Sequence, residues 1–198
     1  MTESPSRPRI EPLEAAELSS AAREILAKSI VNDNGTIRPR RDDDPVHPYP
    51  AVMLRFPELY KRFGVFAGQV LNRGVLSVRD RELVCLRVGW LCQGAYEFGE
   101  HVPIAYAAGL HSGDIESVIS GPAAAGWSAR ERALLTAVDE LHESATISDA
   151  TWAALAGFYD ERQLIELPFL VGAYHTVAFA QNALKVPLPS RNRGLDAR

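Results

Sequence analysis

Apolar residues recur along the chain at intervals of three and four, and strand-like alternation is scarce, so the pattern predicts helix nearly throughout. The spacing predicts helices over residues 13–29, 57–72, 78–91, 95–109, 114–120, 128–144, 148–158 and 161–184. Residues 1–12 carry three prolines and read as an extended arm. From Val31 to Pro50 the chain is polar and rich in breakers (NDNGTIRPRRDDDPVHPYP), which predicts a long loop. The expectation is therefore an all-α fold. It comprises an arm, a helix and a loop over 1–50, a helical domain over 51–189 and a tail over 190–198.

Local signals sharpen these boundaries. Pro57 suits a first helical turn, with Phe56, Leu59, Tyr60, Phe63 and Phe66 as the apolar side of that helix. Ser77 and Ser128 are each followed three residues later by an acid, Asp80 and Glu131, the signature of a capped helix start. The two starts align further, SVRDREL with SARERAL at an offset of 51 residues, which hints at a repeated helical hairpin. Ala133 in the second copy stands where Glu82 stands in the first, so a repeated scaffold does not require an acid there. The run from Leu164 to Ala180 is interrupted by Glu166, Pro168, His175 and Thr176, which predicts a buried helix kinked or tightened at Pro168 rather than a membrane span.

The segment from Val78 to Leu91 is apolar almost all round, the mark of a buried helix. Glu82 lies on its narrow stripe of small residues with Cys85, Gly89 and Cys92, where another helix or a substrate can approach closely. A carboxylate there is costly unless it is paired or sits in a solvated pocket; the alternative is a first-turn acid favoured by the helix dipole. Glu97 and His101 stand one turn apart on the next helix, which Phe98, Ile104 and Ala105 mark as a core element. An acid and an imidazole placed together can move protons near neutral pH, whereas a surface pair would contribute only a few tenths of a kcal/mol. Arg87 is the one cation in the apolar helix after its first turn, and either clamps an anionic substrate or pairs with an acid. Tyr96 is a second candidate substrate contact. His175, beside Tyr174, reads first as a satisfied core histidine, with a place at the site as the alternative. His47, His111 and His142 give no signal.

Composition narrows the classes of function. A net charge of −4 argues against a nucleic-acid surface, and the basic cluster Arg38, Arg40 and Arg41 is followed at once by Asp42, Asp43 and Asp44. The N-terminal stretch has no apolar signal core and no run is long enough to span a bilayer, so no membrane association and a cytoplasmic setting are expected. Two cysteines, seven residues apart in one helix, lie about 10 Å apart along its axis and cannot bridge each other. They read as small core residues, with a thiol role or pairing elsewhere as the alternative. Only two or three metal ligands are identifiable, so no metal is expected.

Glu82, Gly94, Glu97 and His101 fall at the spacing Glu-x11-Cys-x2-Cys-x3-His, with both cysteines replaced. Together with RDRELVCLRVGWL, YEFGEHVPIAYAAGL and ELPFLVGAYHTVAFAQNALKVPLP, this resembles the carboxymuconolactone decarboxylase family of the alkylhydroperoxidase-D-like fold, over roughly residues 50–189. The resemblance implies an all-α homo-oligomer, trimer or hexamer with a dimer as the alternative, and sites near subunit contacts. Family peroxidases use the two cysteines to reduce peroxide while the glutamate and histidine relay protons. Here Gly94 and Glu97 hold the cysteine positions, so that dithiol cycle cannot run at this site. Decarboxylase members act on a small charged lactone acid without metal or organic cofactor.

The leading expectation is a cofactor-independent acid/base enzyme of lyase, decarboxylase or isomerase type, acting on a small organic acid or lactone. Glu82 and His101 exchange protons in it, while Glu97 orients the imidazole or serves as a second acid. The alternatives are a thiol peroxidase using Cys85 or Cys92, and a non-catalytic oligomeric module that binds a ligand.

Overall fold

The structure, a computed structural model, describes residues 7–27, 30–31, 37–38 and 46–198. Nine α-helices occur among them. The helix expected over 13–29 is shorter. A reciprocal Glu14–Glu17 cap first closes a 3-10 turn at Ala15–Glu17, and Ser19 then starts α1 (Ser20–Leu26) by accepting the Ala22 N–H. The loop expected over 31–50 lies partly outside the described residues, including Arg40, Arg41 and the three aspartates. Its described parts are more ordered than expected. Ile30–Val31 pairs antiparallel with Ile37–Arg38, and α2 (Pro48–Met53) begins inside the supposed loop. Pro48 and Pro50 fall in the first turn of α2, where N–H groups have no helical partner in any case.

From α3 onward the cap signals held. α3 runs Pro57–Asn72, α4 Val78–Leu91, α5 Ala95–Ala107, α6 Ser112–Ser120, α7 Ala129–Ser144, α8 Asp149–Ala156 and α9 Glu161–Leu184. Ser77 and Ser128 both accept the N–H three residues on, as expected. α9 runs unbroken through Pro168, and among the described residues no helix is long and apolar enough to cross a membrane. The apolar side of α3 is the exception: Phe56 is 58% and Leu59 50% exposed, and Val70 is the one residue of that helix that is buried.

α4 is the central rod. Leu83, Val84, Leu86 and Val88 are fully buried, and α5, α7 and α9 pack around it. Its stripe of small residues does what the sequence suggested, since a Cβ on Gly89 would lie 3.4 Å from the Phe98 nitrogen of α5. Gln93, in the left-handed region at φ 52°, reverses the chain between α4 and α5. The aligned starts of α4 and α7 face each other: Arg79 binds Glu131 at 2.9 Å and Arg130 binds Asp80. Each pair maps onto the other at the offset of 51, as expected for two copies related by a local two-fold.

The segment after α9 is docked rather than a free tail. Asn192 Nδ2 donates to the Tyr96 carbonyl and to Glu100, both at 2.9 Å, and Arg191 binds Glu100 at 2.8 Å. Gly99 makes room for this, because a Cβ there would stand 1.8 Å from Asn192 Oδ1. Gly99→Ala is accordingly expected to cost about 1–3 kcal/mol and to open the segment to trypsin at Arg191 and Arg193, checked by urea denaturation and timed proteolysis.

Candidate active site

Glu82 in the second turn of α4 points inward and is fully buried. Its Oε2 lies 2.7 Å from His101 Nδ1 on α5, and its Oε1 accepts from Arg81 at 2.8–2.9 Å. Burial alone would raise its pKa. Hydrogen bonding and charge from His101, then Arg81, outweigh that and leave it below the ordinary carboxylate value. Ionised Glu82 can only accept, so His101 Nδ1 carries the proton that joins them. The tautomer is thereby fixed, and in the neutral ring Nε2 bears a lone pair. That lone pair faces the hydroxyl of Tyr174 on α9 at 3.0 Å, the two rings meeting edge to face at 5.0 Å. Glu82, His101 and Tyr174 thus form one proton path from α4 through α5 to α9.

Cys85, one turn after Glu82, brings its Sγ within 4.8 Å of the Glu82 and His101 ligand atoms. It is completely buried, and burial followed by the Glu82 charge pushes its thiol well above the ordinary value. Burial, then the charge of Glu97, pushes the Cys92 thiol up to about 11. Both shifts disfavour the thiolate, the form in which a cysteine acts as a nucleophile.

Glu97 does not orient His101, contrary to one of its two expected roles. Both imidazole nitrogens are taken by Glu82 and Tyr174, and neither Glu97 oxygen has a hydrogen-bond partner among the described residues. The side chain is 2% exposed, and burial raises its pKa well above the ordinary carboxylate value. Its charge, when present, acts on Tyr49, Cys85, Cys92 and Tyr174, which places it amid α2, α4 and α9. Nothing steric explains Gly94 at the other replaced position: a Cβ there meets its neighbours no closer than 3.4 Å.

The three expected substrate contacts lie elsewhere. Arg87 projects about 140° around α4 from Glu82 and is fully engaged. Nε and Nη2 grip both oxygens of Asp139 at 2.7 and 2.8 Å, and Nη1 donates to the carbonyls of Val118 and Ile119. Of its two readings, acid pairing is what the geometry shows. Arg87→Lys, which loses the fork, is expected to cost about 1–2 kcal/mol of stability with substrate KM unchanged, as compared by urea denaturation and steady-state kinetics. Tyr96 packs with Tyr49, Val52 and Val186 against α2, away from the proton path. His175 lies 2.9 Å from His142 instead of facing Glu82 or His101. Burial holds its pKa below the ordinary imidazole value, with the Val171 carbonyl opposing and His142 adding to the effect. A groove of about 380 Å³ between α3 and α9, lined by Phe66, Val70, Arg73, Ile165, Glu166 and Phe169, contains none of the proton-path residues.

Glu82 and His101, with Glu97 one turn before His101, all lie within a stretch that matches a known family model. Residues 57–140 match the carboxymuconolactone decarboxylase family model. The resemblance seen in the sequence is borne out over that stretch, which holds Glu82, Glu97 and His101 but not Tyr174. Solved structures agree on the fold. A peroxidase-related protein of alkylhydroperoxidase core type from Ralstonia eutropha superposes with a TM-score of 0.76 at 15% identity, over 94% of this chain and 95% of its own. A debrominase solved with 2,3,4-tribromopyrrole gives 0.69 at 14% identity, covering 95% of each chain. A protein of unknown function from Agrobacterium tumefaciens gives 0.64 at 21%, over 69% of this chain and 94% of its own. No curated protein matches the sequence.

Proposed function

We propose that this protein is an acid/base enzyme of lyase, decarboxylase or isomerase type acting on a small organic acid or lactone. The Glu82–His101–Tyr174 path carries this reading. A proton taken up at the Tyr174 oxygen passes on to His101 Nε2 as the hydroxyl gives up its own, and the imidazolium so formed faces the Glu82 carboxylate. Tyr174 relays without ionising, since burial holds its pKa well above the ordinary tyrosine value. Glu97, whose proton burial holds more tightly than an ordinary carboxyl does, is the second acid of this reading, placed to protonate a developing anion. The family's redox positions hold Gly94 and Glu97, and burial disfavours the thiolate of both cysteines, which supports non-redox chemistry. A screen of small carboxylic acids and lactones is expected to find a substrate whose turnover falls in His101→Ala. Activity confined to peroxide and lost in a Cys85→Ser/Cys92→Ser double variant would replace this reading with the thiol one.

The same reading includes a homo-oligomer. Val65, Ile165, Phe169 and Phe179 are all more than half exposed, an apolar surface of the kind that subunit contacts cover. Light scattering that gives a monomer at micromolar concentration would remove this part of the proposal.

A further inference from the structure

Cys92, His142 and His175 come from three different helices, ending α4, late in α7 and mid-α9, yet their ligand atoms converge. All three, Sγ and one nitrogen from each imidazole, lie within 4.8 Å of one another. His142 Nδ1 is 2.9 Å from His175 Nε2 and 4.0 Å from Cys92 Sγ. Two of the residues are oriented from behind. His175 Nδ1 meets the Val171 carbonyl at 2.9 Å, so its proton is on Nδ1 and the Nε2 lone pair is turned to the cluster. A backbone carbonyl in this position is the support that fixes the tautomer of metal-binding histidines. Asn182 of α9 donates to the Cys92 carbonyl at 2.8 Å and ties the end of α4 down beside His175. Phe179 packs edge-on against the His175 ring and walls one side.

We propose that Cys92, His142 and His175 form a binding site for a thiophilic divalent metal ion, with Zn2+ as the reference. One thiolate and two imidazoles suit zinc and copper and do not suit calcium or magnesium, which take oxygen ligands. Tetrahedral zinc bonds of about 2.0–2.3 Å place nitrogens about 3.4 Å apart and nitrogen and sulfur about 3.6 Å apart. The separations of 2.9 and 4.0 Å lie within about half an ångström of those values, within reach of side-chain adjustment. Coordination replaces the thiol proton, since a coordinating thiol is deprotonated outright. Three protein ligands leave a fourth position for water or a small anion. The site is separate from the proton path, whose Glu82, His101 and Tyr174 it does not use.

The test is titration of the full chain, purified without a polyhistidine tag, with Co2+ and then Zn2+. One Co2+ per chain with a thiolate-to-cobalt charge-transfer band, displaced by Zn2+, is expected. Cys92→Ser is expected to abolish the band, and His142→Ala and His175→Ala to weaken binding by at least about tenfold, while Cys85→Ser leaves both intact. Circular dichroism establishes that each variant is folded. Absence of a stoichiometric band, or a band lost in Cys85→Ser and kept in Cys92→Ser, overturns the proposal.

Discussion

Glu82→Gln is expected to lower turnover on the protein's substrate by about 10²–10⁴-fold while the helical fold persists. The amide keeps the size of the carboxylate but loses its charge, and with it the partner that His101 needs when it takes up a proton. The amide can also present an N–H toward His101 Nδ1, which favours the opposite tautomer and turns a protonated Nε2 toward Tyr174. Geometry survives and chemistry does not. Tyr174→Phe removes the last group of the path and leaves Nε2 available, so a smaller loss of about tenfold is expected. Steady-state kinetics on all three variants separate these cases, because a structural role for Glu82 alone predicts that His101→Ala and Tyr174→Phe leave kcat untouched. Wild-type kcat in Glu82→Gln would sink the acid/base reading.

Helix boundaries were legible in the sequence wherever a cap announced them. Pro57, Ser77 and Ser128 each mark the start of a helix in the structure. What covers an apolar face was not legible, because periodicity says which side of α3 is apolar and not whether this chain or another buries it. The site divides along the same line. Glu82 and His101 are 19 residues apart and joined by a single turn, so spacing and family resemblance could find them. Tyr174 reaches His101 across 73 residues, and His142 meets His175 across 33. Neither pair leaves any local period. For Tyr174 the available signal was a buried hydroxyl in an apolar run, which needs a partner. For Arg87 it was Asp139, at nearly the offset that relates the two capped starts. The missed contacts are those made between helices distant in sequence, and local patterns do not encode them.

Glu97 sets stability and function against each other most directly. A buried carboxyl without a partner is a cost that a scaffold alone would not retain, and Glu97→Gln is expected to change the pH profile of stability more than any other substitution here. Burial raises the folded-state pKa of Glu97 above its unfolded value. The folded chain therefore holds that proton more tightly than the unfolded one. Its stabilising effect is fully present below the unfolded pKa, near 4.3. It erodes above that at up to about 1.4 kcal/mol per pH unit and is gone once pH passes the folded value. Glu82 behaves in the opposite sense, since its lowered pKa confers stability above the unfolded value that is lost as pH falls through the folded one. The two windows lie on either side of that unfolded pKa and can be read separately. Urea unfolding of wild type and Glu97→Gln from pH 4 to 8, with chelator present to keep metal from Cys92, is expected to show the variant gaining on the wild type as pH rises. A pH-independent difference would mean that Glu97 finds a partner or water when folded. It would then be an ordinary satisfied carboxylate, with no proton to give at neutral pH.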